Sequence, residues 1–115
     1  MSIEIVRTLV TRTALVSAAA SQFGDMIKAV VDVRRRIMAI GGELHSDEEA
    51  VLLEDGSGQA DLWGINIYPA QMDEEWIEYD SMINVRPSQG NRSRSVEDEG
   101  LRRTIRQIVQ GIVTP

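Results

Sequence analysis

The chain contains no cysteine, and only one histidine and one lysine, among its 115 residues. The lack of cysteine excludes thiol catalysis, thiolate metal sites and disulfide frameworks, and it fits the cytoplasm as the expected location. No apolar run approaches the roughly 20 residues that span a bilayer, so we expect no membrane segment. Glycine-rich nucleotide fingerprints, phosphate-binding loops and nucleophile elbows are also missing. The sequence therefore specifies no cofactor and no reaction.

The charges that are present follow a three-part pattern, within a length that fits one domain over residues 1–115. Residues 1–42 carry six basic and three acidic side chains, residues 43–85 carry twelve acidic and no basic ones, and residues 86–115 carry six basic and three acidic ones. The net charge of −6 repels a phosphate backbone, so nucleic acid is not an expected partner. The pattern predicts that the basic ends fold against the acidic middle.

Hydrophobic periodicity predicts helices over residues 11–23 and 98–113, with a shorter helix near residues 47–54. Ser46 and Glu49 have the spacing of a capping box for the short helix, and Ser95 is the expected cap of the last one. Residues 76–86 alternate over eleven positions and are expected to form the central strand, which Pro87 ends. Arg34–Arg36 are expected to lie in a solvated hairpin turn.

These elements predict an α+β fold. We expect a mostly antiparallel sheet of four to five strands, with the two longer helices on one face and one short helix elsewhere. The other face is expected to stay polar. Trp63 and Trp76 are either core residues or interface residues, and their burial distinguishes the two.

Five stretches carry a resemblance that covers roughly residues 24–113. They are Gly24–Val33, Ile37–His45, Leu52–Ser57, Asp61–Pro69 and Asp80–Arg94. Together they resemble a family of small bacterial proteins classified only as a domain of unknown function. The resemblance implies one intact domain and implies no activity, so no catalytic residue is transferred from it.

The first candidate site is an arginine-rich loop, residues 86–95, which leads into the last helix. Its proposed ligand-binding residues are Arg86, Ser88, Gln89, Asn91, Arg92 and Arg94. The guanidinium of arginine can donate two hydrogen bonds at once to a carboxylate or a phosphate. A helix N-terminus presents free amides to an anion. Against this interpretation, acidic residues 97–99 occupy the first helical turn. The alternative is that the arginines pair with the acidic middle of the chain.

The second candidate site uses His45 with a carboxylate on the polar face of the sheet, Asp80 or Glu78. A histidine oriented by a carboxylate can act as a general base, and paired carboxylates can hold a divalent cation. A single histidine without cysteine does not make a zinc site, so no metal ligands are assigned. The structural alternatives are that His45 is only a polar residue at the start of a helix, and that the carboxylates lie on an ordinary solvated sheet face.

Three functions remain open at this point. The first is a binding or interaction module, expected to be a homo-oligomer, that recognises an anionic small molecule or a carboxylate at loop 86–95. The second is a small hydrolase-like enzyme that uses His45 with Asp80 or Glu78, with or without a divalent cation. The third is a structural subunit whose acidic region, residues 43–85, meets a basic protein partner.

Overall fold

A computed structural model describes residues 2–115 of the chain. The strands of the main sheet are β1 (Glu4–Val6), β3 (Ile27–Asp32), β4 (Ile37–Ile40), β5 (Leu62–Ile67) and β6 (Ile77–Glu78). The helices are α1 (Arg12–Ala20), α2 (His45–Glu54) and α3 (Glu99–Ile112). Two short strands, β2 (Val10–Thr11) and β7 (Val113–Thr114), pair in parallel and hold the end of α3 beside the start of α1. No helix within residues 2–115 is long and apolar enough to cross a membrane.

The described strands confirm the α+β fold, with a five-stranded antiparallel sheet in the order β1-β4-β3-β5-β6. Strand β3 is central and pairs along its whole length with β5, so that Lys28 lies opposite Asn66 and Val30 lies opposite Gly64. Strand β6 forms one edge of the sheet and pairs with β5 through two residues, with Glu78 opposite Asn66. Lys28, Asn66 and Glu78 therefore form one row across three strands.

Both faces of the sheet bury apolar side chains. On one face Ala29 and Val31 of β3 join residues of α1 and α3 in the larger core. On the other face Leu52 of α2 packs against Val30 and Leu62 in a smaller core. The expectation that this second face stays polar is wrong where α2 packs on it, because Leu52 of that helix is buried there against apolar side chains of the sheet. Trp63 and Trp76 are each only 4% exposed and belong to the larger core.

The prediction of a central strand over residues 76–86 is wrong. Only Ile77 and Glu78 are in a strand, at the edge of the sheet, and the chain then turns at residues 82–84 and 87–89. The Ser81 hydroxyl accepts from the Ile83 amide and begins the first of these turns. Alternating polar and apolar residues are compatible with a strand but do not require one, because a chain that crosses a sheet edge also has an inner and an outer side.

Side chains take over the role of the missing strand along the edge of β5. The amide of Asn84 accepts from the Gly64 backbone N–H at 2.8 Å and donates to the Gly64 carbonyl at 2.9 Å. A Cβ at position 64 would lie 2.5 Å from the Ser81 Cβ, so glycine allows the crossing chain to approach. We call residues 81–97 the clip, because it closes the sheet edge without a ladder of backbone hydrogen bonds.

The helix boundaries differ from the predicted ones in ways that side-chain contacts explain. Thr11 caps α1, but that helix ends at Ala20 and has nine residues, one fewer than α2. Asp98, not Ser95, caps α3, since the Ser95 hydroxyl accepts from the Arg102 guanidinium. The predicted capping box at the start of α2 is wrong.

Helix α2 begins at His45, one residue before the predicted cap. Leu44 occupies the N-cap position and makes no side-chain capping hydrogen bond. The carboxylate of Glu49, which was expected to reach back to the helix start, lies instead 3.5 Å from the Arg86 guanidinium. The first turn of α2 therefore has no capping side chain over its N-terminal amides.

The charge pattern predicts the ion pairs correctly. Each salt bridge among residues 2–115 joins a basic end to the acidic middle, in the pairs Arg7–Asp55, Arg35–Asp55, Arg86–Glu49 and Arg94–Asp80. The hairpin turn over residues 33–36 also forms as predicted, and the Asp32 carboxylate accepts from two of its backbone amides at 2.9 Å each. Arg7 and Arg35 hold the pKa of the Asp55 carboxyl at about 2.

Candidate functional site

The Arg86 side chain is directed into the protein. Its guanidinium donates to the carbonyl of Ile83 at 3.0 Å and to that of Gln59 at 2.9 Å, and it also donates to the Leu62 carbonyl. These acceptors lie in the clip, in the turn before β5 and in β5 itself. Arg86 thus joins the clip to β5. Its guanidinium N–H groups are already hydrogen-bonded to backbone carbonyl oxygens.

The surroundings of Arg86 reinforce this structural role. The guanidinium carbon lies 4.7 Å from the centroid of the Trp63 ring, and one terminal nitrogen lies 3.5 Å from the Glu49 carboxylate. The residue is 9% exposed, and burial lowers the pKa of its guanidinium while Glu49 raises it. A ligand would have to displace these contacts in order to reach the charge.

The remainder of the arginine-rich loop binds a carboxylate of its own. The Glu97 carboxylate accepts from the Arg92 amide at 3.0 Å and from the Ser93 amide at 2.8 Å. The Ser93 side chain and these two amides lower the pKa of Glu97. Asn91 is buried and donates to the carbonyls of Asn84 and Ser95 at 2.7 Å each. The amides that the sequence offers to an anion are therefore already used.

The other predicted loop residues are dispersed. Gln89 donates to the Ala60 carbonyl at 3.2 Å, and it shares a groove with Asn91 and the acidic residues Glu97 and Asp98. Ser88 and the Arg92 side chain are exposed. Arg94 is the only one of the six predicted residues that lines the space between the clip, β3 and the start of α2.

Arg94 lines a cleft of about 160 Å³ between the clip, β3 and the start of α2. We call this the basic cleft. Its polar lining residues are Lys28, His45, Ser46, Ser81 and Arg94, and its apolar ones are Leu44, Met82 and Ile83. The topology brings together the only lysine, the only histidine and one arginine, from three distant parts of the sequence.

Two of these groups supply fixed positive charge. The Lys28 side chain is half-buried and makes no ion pair with any residue from 2 to 115, and its ammonium lies 5.4 Å from the centroid of the Phe23 ring. Arg94 donates through Nε to Asp80 at 2.7 Å, which leaves its terminal nitrogens without a hydrogen-bond acceptor in the described part of the chain. Asp80 offsets one of the two charges, so the cleft keeps a net positive charge.

His45 is a neutral group in this cleft. Its Nε2 lies 2.8 Å from the Ile65 carbonyl, and because a carbonyl can only accept, Nε2 carries the proton and Nδ1 is the acceptor. The residue is 7% exposed, and burial lowers the pKa of its imidazole, although the Ile65 carbonyl opposes this. Lys28 and Arg94 lower the same pKa further through their charges.

Glu48, three residues after His45, is fully buried in the first turn of α2. One carboxyl oxygen accepts from the Gly42 amide at 3.0 Å, and the other meets no partner within residues 2–115. Burial raises the pKa of Glu48 to about 9, so the carboxyl is protonated at neutral pH. It therefore adds no negative charge beside the cleft.

The two predicted carboxylates lie in different environments. Glu78 accepts from the Asn66 amide at 2.8 Å and from the Tyr68 hydroxyl at 3.5 Å. Asp80 is paired with Arg94, and its charge raises the pKa of His45. In the part of the chain that the structure describes, neither carboxylate is hydrogen-bonded to His45, and no group of three metal-ligating side chains is placed to hold an ion.

The sequence alone therefore indicates His45 and Arg94 as site residues. It does not indicate Lys28, Ser46 and Ser81, which line the same cleft. Lys28 does have two signals in the sequence, because it is the only lysine and lies on the polar side of a predicted strand. The sequence predicts Ser46 as a helix cap and places Ser81 in a strand that forms only at Ile77 and Glu78. The burial of Glu48 had no sequence signal, because three of its neighbours, Asp47, Glu49 and Glu43, are also acidic.

The fold and the basic cleft define an α+β protein whose antiparallel sheet is covered by helices on both faces and has a small cationic cleft on one of them. The chain belongs to the family described as protein of unknown function, DUF5674, whose model matches residues 4–112. The resemblance noted from the sequence is thereby confirmed. No curated protein and no solved structure matches the chain.

Proposed function

We propose that this protein binds a small anion in the basic cleft. The observation that carries the proposal is the convergence of Lys28, which has no ion pair among the described residues, with the free terminal nitrogens of Arg94. An ammonium held half-buried without a counter-charge lacks part of its solvation, and an anion would supply the missing partner. The arginine chemistry predicted for loop 86–95 is retained at Arg94 alone.

The start of α2 supports the same proposal. The helix has ten residues and its N-terminal amides have no capping side chain, although Asp47 in the first turn offsets part of the positive end of the helix dipole. The hydroxyls of Ser46 and Ser81 offer hydrogen bonds in the same cleft. A pocket with net positive charge in a chain of net charge −6 concentrates anions locally.

The first prediction concerns thermal stability in the presence of acetate, the probe anion, at fixed ionic strength. At ten times its dissociation constant acetate should add about 1.4 kcal/mol, or roughly 5 °C in Tm for a domain of this size. Lys28→Gln and Arg94→Gln should each remove the shift, because each neutralises one of the two cations. Arg92→Gln is the matched control and should keep the shift, because Arg92 is exposed and does not line the cleft. Equal shifts in all four proteins would exclude the cleft as the site.

The same binding should depend on pH in a defined direction. His45 has a lowered pKa, so it is neutral at pH 7 and gains a positive charge only below its ordinary value of 6.5. Protonation adds a third cation to the cleft, and acetate should therefore bind more tightly as the pH falls from 7 towards 5. By linkage the bound anion raises the pKa of His45, which NMR titration of this single histidine measures directly.

A second candidate function is hydrolysis with His45 as the general base. The hydrogen bond from Nε2 to Ile65 fixes the ring, and the lowered pKa keeps it in the basic form at neutral pH. Asp80, rather than Glu78, is the carboxylate whose charge acts on the ring. This proposal predicts turnover of simple aryl esters that falls at least about 100-fold in His45→Ala. Retained turnover in that variant, with Arg92→Gln as control, would exclude it.

A further inference from the structure

The basic cleft is bordered by apolar side chains that the fold leaves exposed. Leu44 is 56% exposed and Met82 is 66% exposed, and both line the cleft. Phe23, next to Lys28, is 41% exposed. Single exposed apolar residues are ordinary, but three of them around one charged cleft form a mixed surface. Such a surface matches a ligand with both a charged and an apolar part.

A second groove continues the cleft on the other side of Leu44. It has a volume of about 340 Å³ and is lined by Ser21, Gln22, Phe23, Glu43 and Leu44. Leu44 lines both spaces, and the Lys28 ammonium of the cleft lies 5.4 Å from the centroid of the Phe23 ring in the groove. Together they fall within the range of small-molecule sites, roughly 300 to 1,000 Å³. A ligand can therefore place its charge at Lys28 and extend across Leu44 to Phe23.

We propose that the ligand is a small monocarboxylic acid with an apolar tail, which rests on the proposed anion site in the basic cleft. The carboxylate pairs with Lys28 and Arg94, and the tail covers Leu44 and Phe23. The net charge of the two cations and Asp80 is +1, which matches a monoanion better than a phosphate dianion. Glu43 lines the far groove and disfavours a second carboxylate at the other end of the ligand.

The test compares acetate, 3-phenylpropionate and 3-phenylpropionamide by calorimetric titration of the full chain. The phenyl acid should bind at least about tenfold more tightly than acetate, since burying two methylene-sized groups is worth roughly that factor. The amide, which lacks the charge, should not bind measurably. If phenylpropionate and acetate bind with equal affinity, the proposed contact between the apolar tail and the protein is wrong, and the anion site is unaffected. If neither acid binds, both the anion site and this inference fall.

Surface variants separate the tail contact from the charge contact. Leu44→Ala and Phe23→Ser should each lower the affinity for the phenyl acid towards that of acetate, because each removes part of the surface that the tail covers. Both residues are exposed in the free protein. Met72→Ser, at a methionine that is 82% exposed and does not line the cleft, is the matched control. Unchanged affinity in both Leu44→Ala and Phe23→Ser, or tighter binding of a peptide that ends in phenylalanine, would overturn the proposal.

Discussion

Replacing Arg86 with alanine is expected to lower the free energy of unfolding by about 3–5 kcal/mol, the cost of breaking a buried, paired charge. The carbonyls of Ile83, Gln59 and Leu62 lose their donor, and buried acceptors left without partners are costly. Trp63 also loses the guanidinium that covers its ring. Urea denaturation at pH 7 measures the change as a shift in midpoint.

Arg92→Ala is the matched control for this loss. Arg92 lies in the same loop but its side chain is exposed, so its removal should change stability by no more than about 0.5 kcal/mol. Arg86→Lys should lose most of the stability that Arg86→Ala loses, because an ammonium cannot reproduce the fork between three carbonyls. If the two alanine variants unfold at the same urea concentration, Arg86 does not hold the clip to the sheet.

The second large effect is expected from Glu48→Gln, which should stabilise the protein at neutral and alkaline pH. The folded-state pKa of about 9 lies above the ordinary value of 4.5, so the folded protein holds this proton more tightly than the unfolded chain does. The stability that this group contributes is complete below about pH 4.5 and is lost as the pH rises through about 9. At pH 7 the loss is on the order of 3 kcal/mol.

The glutamine variant imitates the protonated carboxyl and cannot ionise. Its side-chain oxygen can still accept from the Gly42 amide, so at pH 4.5 the two proteins should unfold at similar urea concentrations. At pH 8 the variant should be the more stable one by a few kcal/mol. A parallel pH dependence of the two proteins would show that Glu48 is ionised, with a partner, in the folded state.

The buried residues Arg86 and Glu48 also affect the proposed anion site. Arg86 and Glu97 satisfy the polar groups of the clip internally, which leaves Arg94 as the predicted loop residue that faces the basic cleft. Glu48 is close enough for the charge of Lys28 to lower its pKa, yet burial keeps it neutral, so it does not offset the charge of Lys28. The site therefore depends on which charges the fold buries as much as on which it exposes.

Part of this architecture follows from the sequence alone. Helical periodicity locates α3 to within a residue at each end, and it locates the start of α1 to within a residue as well. The separation of basic and acidic residues predicts that the ion pairs join the ends to the middle, because opposite charges attract in any compact arrangement of this chain. The lack of cysteine and the single histidine exclude thiolate and ordinary zinc sites without reference to the fold.

Other features were decided only by tertiary structure. Residues 76–86 have the alternation of a strand, yet Asn84 and Arg86 replace strand pairing with side-chain hydrogen bonds to β5, and periodicity does not distinguish the two. Which charges pair depends on distances that a sequence does not contain. Arg86 is therefore buried and bonds to backbone carbonyls, whereas Arg94 lines the cleft. Lys28 and His45 are 17 positions apart in the chain, and only the packing of α2 against the sheet brings them into one site.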